Sequence, residues 1–228
     1  MLQSLSFSRD GAVLHPAALS PADLAALETA LAAAPQDRAG VRLHGSDALR
    51  ALLDPNGVIG GVIGGVARNA LQADARPVRA VLFDKTAAAN WSLAWHQDRT
   101  IVVRERHEVE GFGPWTTKQG LLHVAPPYAV LSGMATLRIH LDPTPAANAP
   151  LLIAPGSHRL GRIPESEVPA TVARCGVVTC VAGRGDIWAY ATPILHASEA
   201  AQAPARRRVL QVDYAAGELP GGLEWLGV

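Results

Sequence analysis

Two short stretches a hundred residues apart carry the residue types for metal chemistry: Trp95-His96-Gln97-Asp98, and His196-Ala197-Ser198 followed by Arg206-Arg207-Arg208. Two imidazoles and one carboxylate form the facial triad that holds non-haem Fe(II) and leaves coordination positions open. In a strand, residues i and i+2 share a face, so His96 and Asp98 can reach one ion while Gln97 points away. His196 is the third ligand of choice because it follows Gly185-Asp186-Ile187-Trp188 and closes a late strand. A His-x-Asp pair alone is a weak signal in a chain with eight histidines, since a lone histidine is more often structural than a ligand.

A guanidinium one strand beyond His196 strengthens the reading. Iron oxygenases with this triad use 2-oxoglutarate, which chelates the metal through its 1-carboxylate and keto oxygen and leaves a far carboxylate in need of a partner. Arginine, planar and always charged, binds a carboxylate bidentately. Arg207 lies eleven residues after His196 and starts the strand-like run 207–214, with Arg206 and Arg208 facing the other way.

The elements that must position these residues are readable in outline. Half of the 228 residues are apolar, enough for one globular domain, and acidic and basic residues balance at 20 each. No global field therefore favours nucleic acid or an anionic membrane, and a small-molecule partner is expected. The N-terminus lacks a basic region followed by an apolar core, no apolar run is long enough to span a bilayer, and Cys175 and Cys180 are read as small apolar residues of a reducing compartment. A cytoplasmic protein is expected; oligomeric state is not legible.

Residues 6–14 read as an extended lead-in. Ser20-Pro21-Ala22-Asp23 starts a helix with Leu24, Leu27 and Leu31 on one face, and Ser46 or Asp47 caps a second. Residues 57–71 repeat Gly-Val-Ile-Gly-Gly-Val without the spacing or preceding strand of a phosphate loop. They read as a helix whose Gly57, Gly61, Gly64 and Gly65 let another backbone approach. From residue 76 the texture turns to β-type runs at 78–83, 93–96, 120–124, 134–141, 151–154, 177–181, 186–190 and 207–214. This pattern gives an α+β jelly roll with N-terminal helices packed on one sheet. The expected layout is a single domain over 1–228, helical to about 75, with a jelly-roll core over about 76–215. Residues 105–119 read as a loop long enough to be an active-site lid.

An ordered set of motifs then resembles the phytanoyl-CoA dioxygenase-like family of Fe(II)/2-oxoglutarate oxygenases. The set is Trp95-His96-Gln97-Asp98, Leu141-Asp142, Asn148-Ala149-Pro150-Leu151, Pro155-Gly156-Ser157-His158, Gly185-Asp186, and His196-Ala197-Ser198 with Arg207. The resemblance implies a double-stranded β-helix and a dioxygenase using Fe(II), 2-oxoglutarate and O2. It implies His96, Asp98 and His196 as iron ligands, Arg207 as partner of the distal carboxylate, and Ser198 as a supporting hydroxyl. Ala149 and Ala197 stand where the family often has glycine, so loop adjustments are expected. Asp98 is retained where halogenases of the class carry a small residue, which favours hydroxylation with release of succinate and CO2.

Further candidates surround this set. Lys85 and Asn90 precede the first ligand and are candidate cosubstrate contacts. Arg138 and His140 alternate with apolar residues along a strand, and with Trp115 in the presumed lid they are candidate substrate contacts. Trp91, Trp95 and Trp188 are further candidates to wall the cavity, and His158 reads as a structural turn residue. Two other function classes compete: a Zn-dependent hydrolase on the same ligands, and a jelly-roll binding protein without oxygenase activity. A hydrolase leaves Arg207 without a purpose.

Overall fold

The computed structural model describes residues 5–35, 40–86, 90–202 and 205–228. The chain begins with α1 (Phe7–Asp10), β1 (Ala12–His15), α2 (Pro21–Leu31), β2 (Gly40–Leu43), α3 (Asp47–Leu52) and α4 (Val58–Leu71). Strands then dominate: β3 (Arg76–Lys85), β4 (Leu93–His96), β5 (Ile101–Val102), β6 (Trp115–Lys118) and β7 (Leu121–Val124). After the short α5 (Tyr128–Ser132) come β8 (Met134–His140), β9 (Leu151–Ile153), α6 (Val168–Cys175), β10 (Val178–Cys180), β11 (Ile187–Ala191), β12 (His196–Ser198) and β13 (Arg207–Ala215).

The strands form a six-stranded sheet in the order β1-β11-β8-β13-β3-β2, a four-stranded sheet β10-β9-β12-β4 and a three-stranded sheet β5-β7-β6. Every named pairing is antiparallel. The two larger sheets share a buried cluster of Ala12, Trp188 and Tyr190 from one and Leu151, Ile153 and Cys180 from the other. This is the expected α+β jelly roll, and each of the eight sequence-read strands is present.

Period-two alternation decides what the large sheet does with its two faces. Leu137 and Ile139 of β8, with Leu210, Val212 and Tyr214 of β13, pack outward against Leu24, Leu27, Leu49, Ile63 and Ala67 of the helical layer. The residues between them, Thr136, Arg138 and His140 on β8 and Arg207, Gln211 and Asp213 on β13, are buried on the inner face. A run of polar side chains buried in a sheet interior is costly unless it is used or satisfied.

Local signals explain the helical layer. Ser20 and Asp23 close a reciprocal capping box at the start of α2, and Ser46 Oγ accepts from the Leu49 amide at 3.2 Å to cap α3. Arg208 faces outward as its alternation requires and ties α2 to the sheet, bonding Asp142 at 2.8 Å and Glu28 at 2.6 Å.

Three expectations are corrected. The lead-in is a helical turn followed by β1, which pairs with β11 along the edge of the large sheet. Residues 58–71 are helical with Gly57 as the cap, and the closest approach falls on Gly60, where a Cβ would collide with the Asp54 carbonyl; a Cβ on Gly57 or Gly64 would be tight at 3.3 Å, while Gly61 and Gly65 meet only ordinary contacts. Residues 105–119 are not one loop: β6 pairs with β7 through a turn in which Gln119 and Gly120 both take positive φ, +50° and +78°. The β-branched Thr116-Thr117 pair and the glycine after Gln119 are the local signals for that hairpin.

Candidate metal centre

His196 and His96 are direct cross-strand partners on β12 and β4, with ring centroids 4.3 Å apart. Each ring is fixed the same way: His96 Nδ1 lies 2.8 Å from the Ala94 carbonyl, and His196 Nδ1 lies 3.0 Å from the Ile194 carbonyl. A carbonyl only accepts, so Nδ1 must be the protonated nitrogen and Nε2 presents a lone pair, the tautomer that metal coordination needs. Burial pushes the His196 imidazolium down to about 4, with Asp98 opposing, so the ring is neutral at ordinary pH. One potential ligand atom from each of His96, Asp98 and His196 lies within 4.8 Å of the others.

Asp98 lies just past the end of β4, and two tethers position it. Gln97 turns away as expected and is itself buried. Its amide donates to the Pro193 carbonyl at 2.7 Å and the Gly161 carbonyl at 3.0 Å, and its oxygen accepts from the Ile163 amide at 2.9 Å. Arg79 of β3 donates to Asp98 Oδ2 at 3.2 Å, and among the described residues no hydrogen bond claims the other oxygen. Burial works against the carboxylate's charge, but Arg79 and the two imidazoles more than offset it, and the Asp98 pKa lies below the ordinary value.

Arg79 is held in turn by Asp213, its register partner on β13. Asp213 accepts from Thr136 and from Gln211, both at 3.1 Å, and Thr136 meets Thr192 at 3.0 Å. Sequence reading missed Arg79 and Asp213. The available signal was a charged residue alternating with apolar ones inside each of two strands, the same signal that singled out Arg138.

The opposite end of the pocket is cationic. Lys85 and Arg207 are cross-strand partners, 3% and 2% exposed. Lys85 Nζ donates to Trp91 O at 2.8 Å, Ser198 Oγ at 3.1 Å and Glu199 O at 3.2 Å. Burial, then Arg207 and Arg138, push its ammonium down to about 8. Arg207 bonds the Ala149 carbonyl, and its Nε is buried without a partner. Arg138 reaches Gln211 at 3.3 Å and stacks its guanidinium 5.0 Å from the Phe83 ring centre, with its Nε also unpartnered. Among the described residues neither arginine meets a carboxylate.

One pocket joins both ends, lined by His96, Asp98 and His196, by Lys85, Arg138, Ser198 and Arg207, and by Trp91. Three expected contacts lie outside the lining. Asn90 clamps residue 201, donating to its carbonyl at 3.0 Å and accepting from its amide at 2.6 Å. His140 is buried behind the wall with Nδ1 3.0 Å from Thr144 Oγ1, and burial pushes it down to about 3. Trp115 packs against the cluster of Val124, Phe112 and Trp225. Trp95 packs beside Ile163 and Leu195, and Trp188 lies in the core between the sheets. The turn at Ala149 takes φ +51°, the backbone glycine would adopt freely, and so keeps its carbonyl on Arg207.

Residues 7–209 match the family model for phytanoyl-CoA dioxygenase (PhyH). The chain belongs to this family. No curated protein matches it significantly. Among solved structures it is similar to AviO1 from Streptomyces viridochromogenes Tue57, with 19% identity, 94% of each chain covered and a TM-score of 0.65. It is also similar to EctD from S. alaskensis in its apoform, with 20% identity, 99% of this chain and 80% of that one covered and a TM-score of 0.68. A third is SnoN, a non-haem α-ketoglutarate-dependent epimerase of nogalamycin biosynthesis, with 18% identity, 93% and 81% covered and a TM-score of 0.65. These likenesses establish the fold, the double-stranded β-helix of the family. No described helix is long and apolar enough to cross a membrane.

Proposed function

We propose that this PhyH-family chain is an Fe(II)- and 2-oxoglutarate-dependent dioxygenase that hydroxylates a small molecule. The observation that carries the reading is one pocket with the His96, Asp98 and His196 ligand atoms at one end and the unpaired guanidinium of Arg207 at the other. EctD has been solved with bound Fe and with 2-oxoglutarate and 5-hydroxyectoine, and SnoN with Fe3+ and α-ketoglutarate, which supports the same cofactor pair here. Bound Fe(II) with 2-oxoglutarate and O2 supplies oxidising power: the keto acid becomes succinate and CO2, and the second oxygen atom goes to a substrate C–H bond.

The chain's own residues do the positioning. His96 and His196 offer Nε2 because backbone carbonyls hold Nδ1, and Arg79 keeps Asp98 ionised and turned toward the imidazoles. Arg207, with Ser198 and Lys85 beside it, would receive the distal carboxylate of 2-oxoglutarate, and Arg138 lines the same pocket. Trp91, Phe83 and Leu151 line the wall and exclude water. Retention of Asp98 supports hydroxylation as the outcome. A zinc hydrolase would leave the buried cations of the far end without a role. The two free cysteines fit action in the cytoplasm.

His96→Ala tests the assignment. With Fe(II) and 2-oxoglutarate supplied, succinate formation should fall by about a thousandfold or more; turnover at the parent rate would refute the ligand set.

A further inference from the structure

We propose that the primary substrate carries an anionic group, a carboxylate or phosphate, and that Arg42 on the edge strand β2 receives it. The inference rests on the reading of the pocket as a 2-oxoglutarate site, because it concerns the charge that the cosubstrate leaves uncompensated.

The pocket lining contains five cationic side chains, Arg42, Arg79, Lys85, Arg138 and Arg207, and one acid, Asp98. Arg79 is paired with Asp98 and Asp213. On that reading the distal carboxylate of 2-oxoglutarate would account for Arg207 and Lys85, and Arg138 already stacks on Phe83 and reaches Gln211. Arg42 remains. Its Nε is buried without a partner, and among the described residues its guanidinium forms no ion pair. Burial, then Arg79, hold its pKa below the ordinary value, with Asp98 opposing, so the group is partly stripped of water beside like charge. A half-buried guanidinium with an enclosed, unpartnered Nε gains from an anion that joins it.

Its place in the fold sets it on the edge strand, apart from the Lys85–Arg207 end. Arg42 stands opposite Val81, Val81 opposite Gln211, and Gln211 opposite Arg138. Arg42 and Arg138 therefore lie in one transverse row on the inner face, Arg138 on an interior strand and Arg42 on β2, the strand that ends the sheet. The tip of the β6–β7 hairpin is fastened to that strand: Gln119 accepts from the Arg42 amide at 3.1 Å and donates to the Gly40 carbonyl at 3.0 Å. The hairpin brings Lys118 to the same side. Burial, then Arg42 and Arg79, hold the Lys118 ammonium below its ordinary value, as proximity to both requires. Arg42 lines the pocket on its edge-strand side with Lys118 near it on the hairpin, and an anionic group is the chemistry those two cations recognise together.

Inorganic sulfate is a suitable probe, titrated calorimetrically into anaerobic protein loaded with Fe(II) and 2-oxoglutarate. The expected result is saturable binding that weakens by about tenfold or more in Arg42→Gln and is largely retained in Arg42→Lys. Absence of saturable binding, or equal binding by the parent and Arg42→Gln, would overturn the inference and leave the oxygenase reading standing. Failure of 2-oxoglutarate to load would strike that reading instead. The same titrations on unloaded protein then decide Arg42 separately: dependence on Arg42 supports the anion site, and independence removes it.

Discussion

Arg79 and Arg207 stand on the neighbouring strands β3 and β13 and face one pocket, Arg207 buried and Arg79 largely so, yet they are built in opposite ways. Arg79 sits between two carboxylates, and its neighbour Asp213 is satisfied further by Thr136 and Gln211. Arg207 has a single carbonyl, an unpartnered Nε and two other cations for company. At the candidate metal end charge is balanced within the fold; at the far end, among the described residues, no carboxylate balances it. On the proposed reading, the paired arginine holds the site's shape and the unpaired one is the group that would receive the cosubstrate.

This difference can be broken at each end, beginning with the largest effect. Asp213→Ala removes one partner of a buried ion pair and leaves Arg79 poorly compensated, so unfolding free energy should drop by about 3–5 kcal/mol in denaturant titration. A drop below about 1 kcal/mol would mean that the pair is not structural. Arg207→Met should weaken 2-oxoglutarate binding by about a hundredfold, the loss of a charge-assisted contact worth roughly 2–3 kcal/mol. The same Arg207→Met replaces an unpaired buried charge by an apolar chain, so the ligand-free protein should gain about 1 kcal/mol. Opposite signs for Asp213→Ala and Arg207→Met in one stability assay would sharpen the distinction; equal losses would erase it.

The smallest effect is a pH dependence. The Lys85 ammonium titrates near 8 in the fold, below its ordinary value of 10.5, because burial, Arg207 and Arg138 disfavour its charge. Between those two values the unfolded chain holds a proton that the folded chain has released, so stability rises with pH across that window and the penalty is fully present below it. Binding of 2-oxoglutarate follows the reverse course, weakening above pH 8 as the ammonium is lost. Lys85→Met should flatten both trends, and an unchanged profile would remove Lys85 from the cosubstrate site.

The legible and illegible parts of the site divide along the same line. His96, Asp98 and His196 were readable because ligand chemistry demands those residue types at strand spacing, and Arg207 because it lies one strand beyond the last of them. Arg79 and Asp213 carried only the signal of a charge alternating with apolar residues, and what they do depends on a cross-strand register, Asp213 opposite Arg79, that this local signal does not encode. Strand β2 escaped notice as four residues that include a glycine and an arginine, too short for an alternation to declare itself. Trp115 was placed in a lid because loops and glycine-rich hairpins share composition; its ring instead joins a core cluster, and Gln119 marks where the hairpin meets the pocket rim. Of the inward polar pair on β8, Arg138 reached the pocket while His140, two residues on, was spent on Thr144.

The central claim is that these residues chelate Fe(II) and 2-oxoglutarate together. The most direct test is the visible spectrum of the anaerobic protein as both are added. The weak charge-transfer band of a metal-chelated keto acid should appear and saturate at one equivalent per chain, and it should be absent in His196→Ala. No band in the parent protein, or an undiminished band in His196→Ala, would contradict the account.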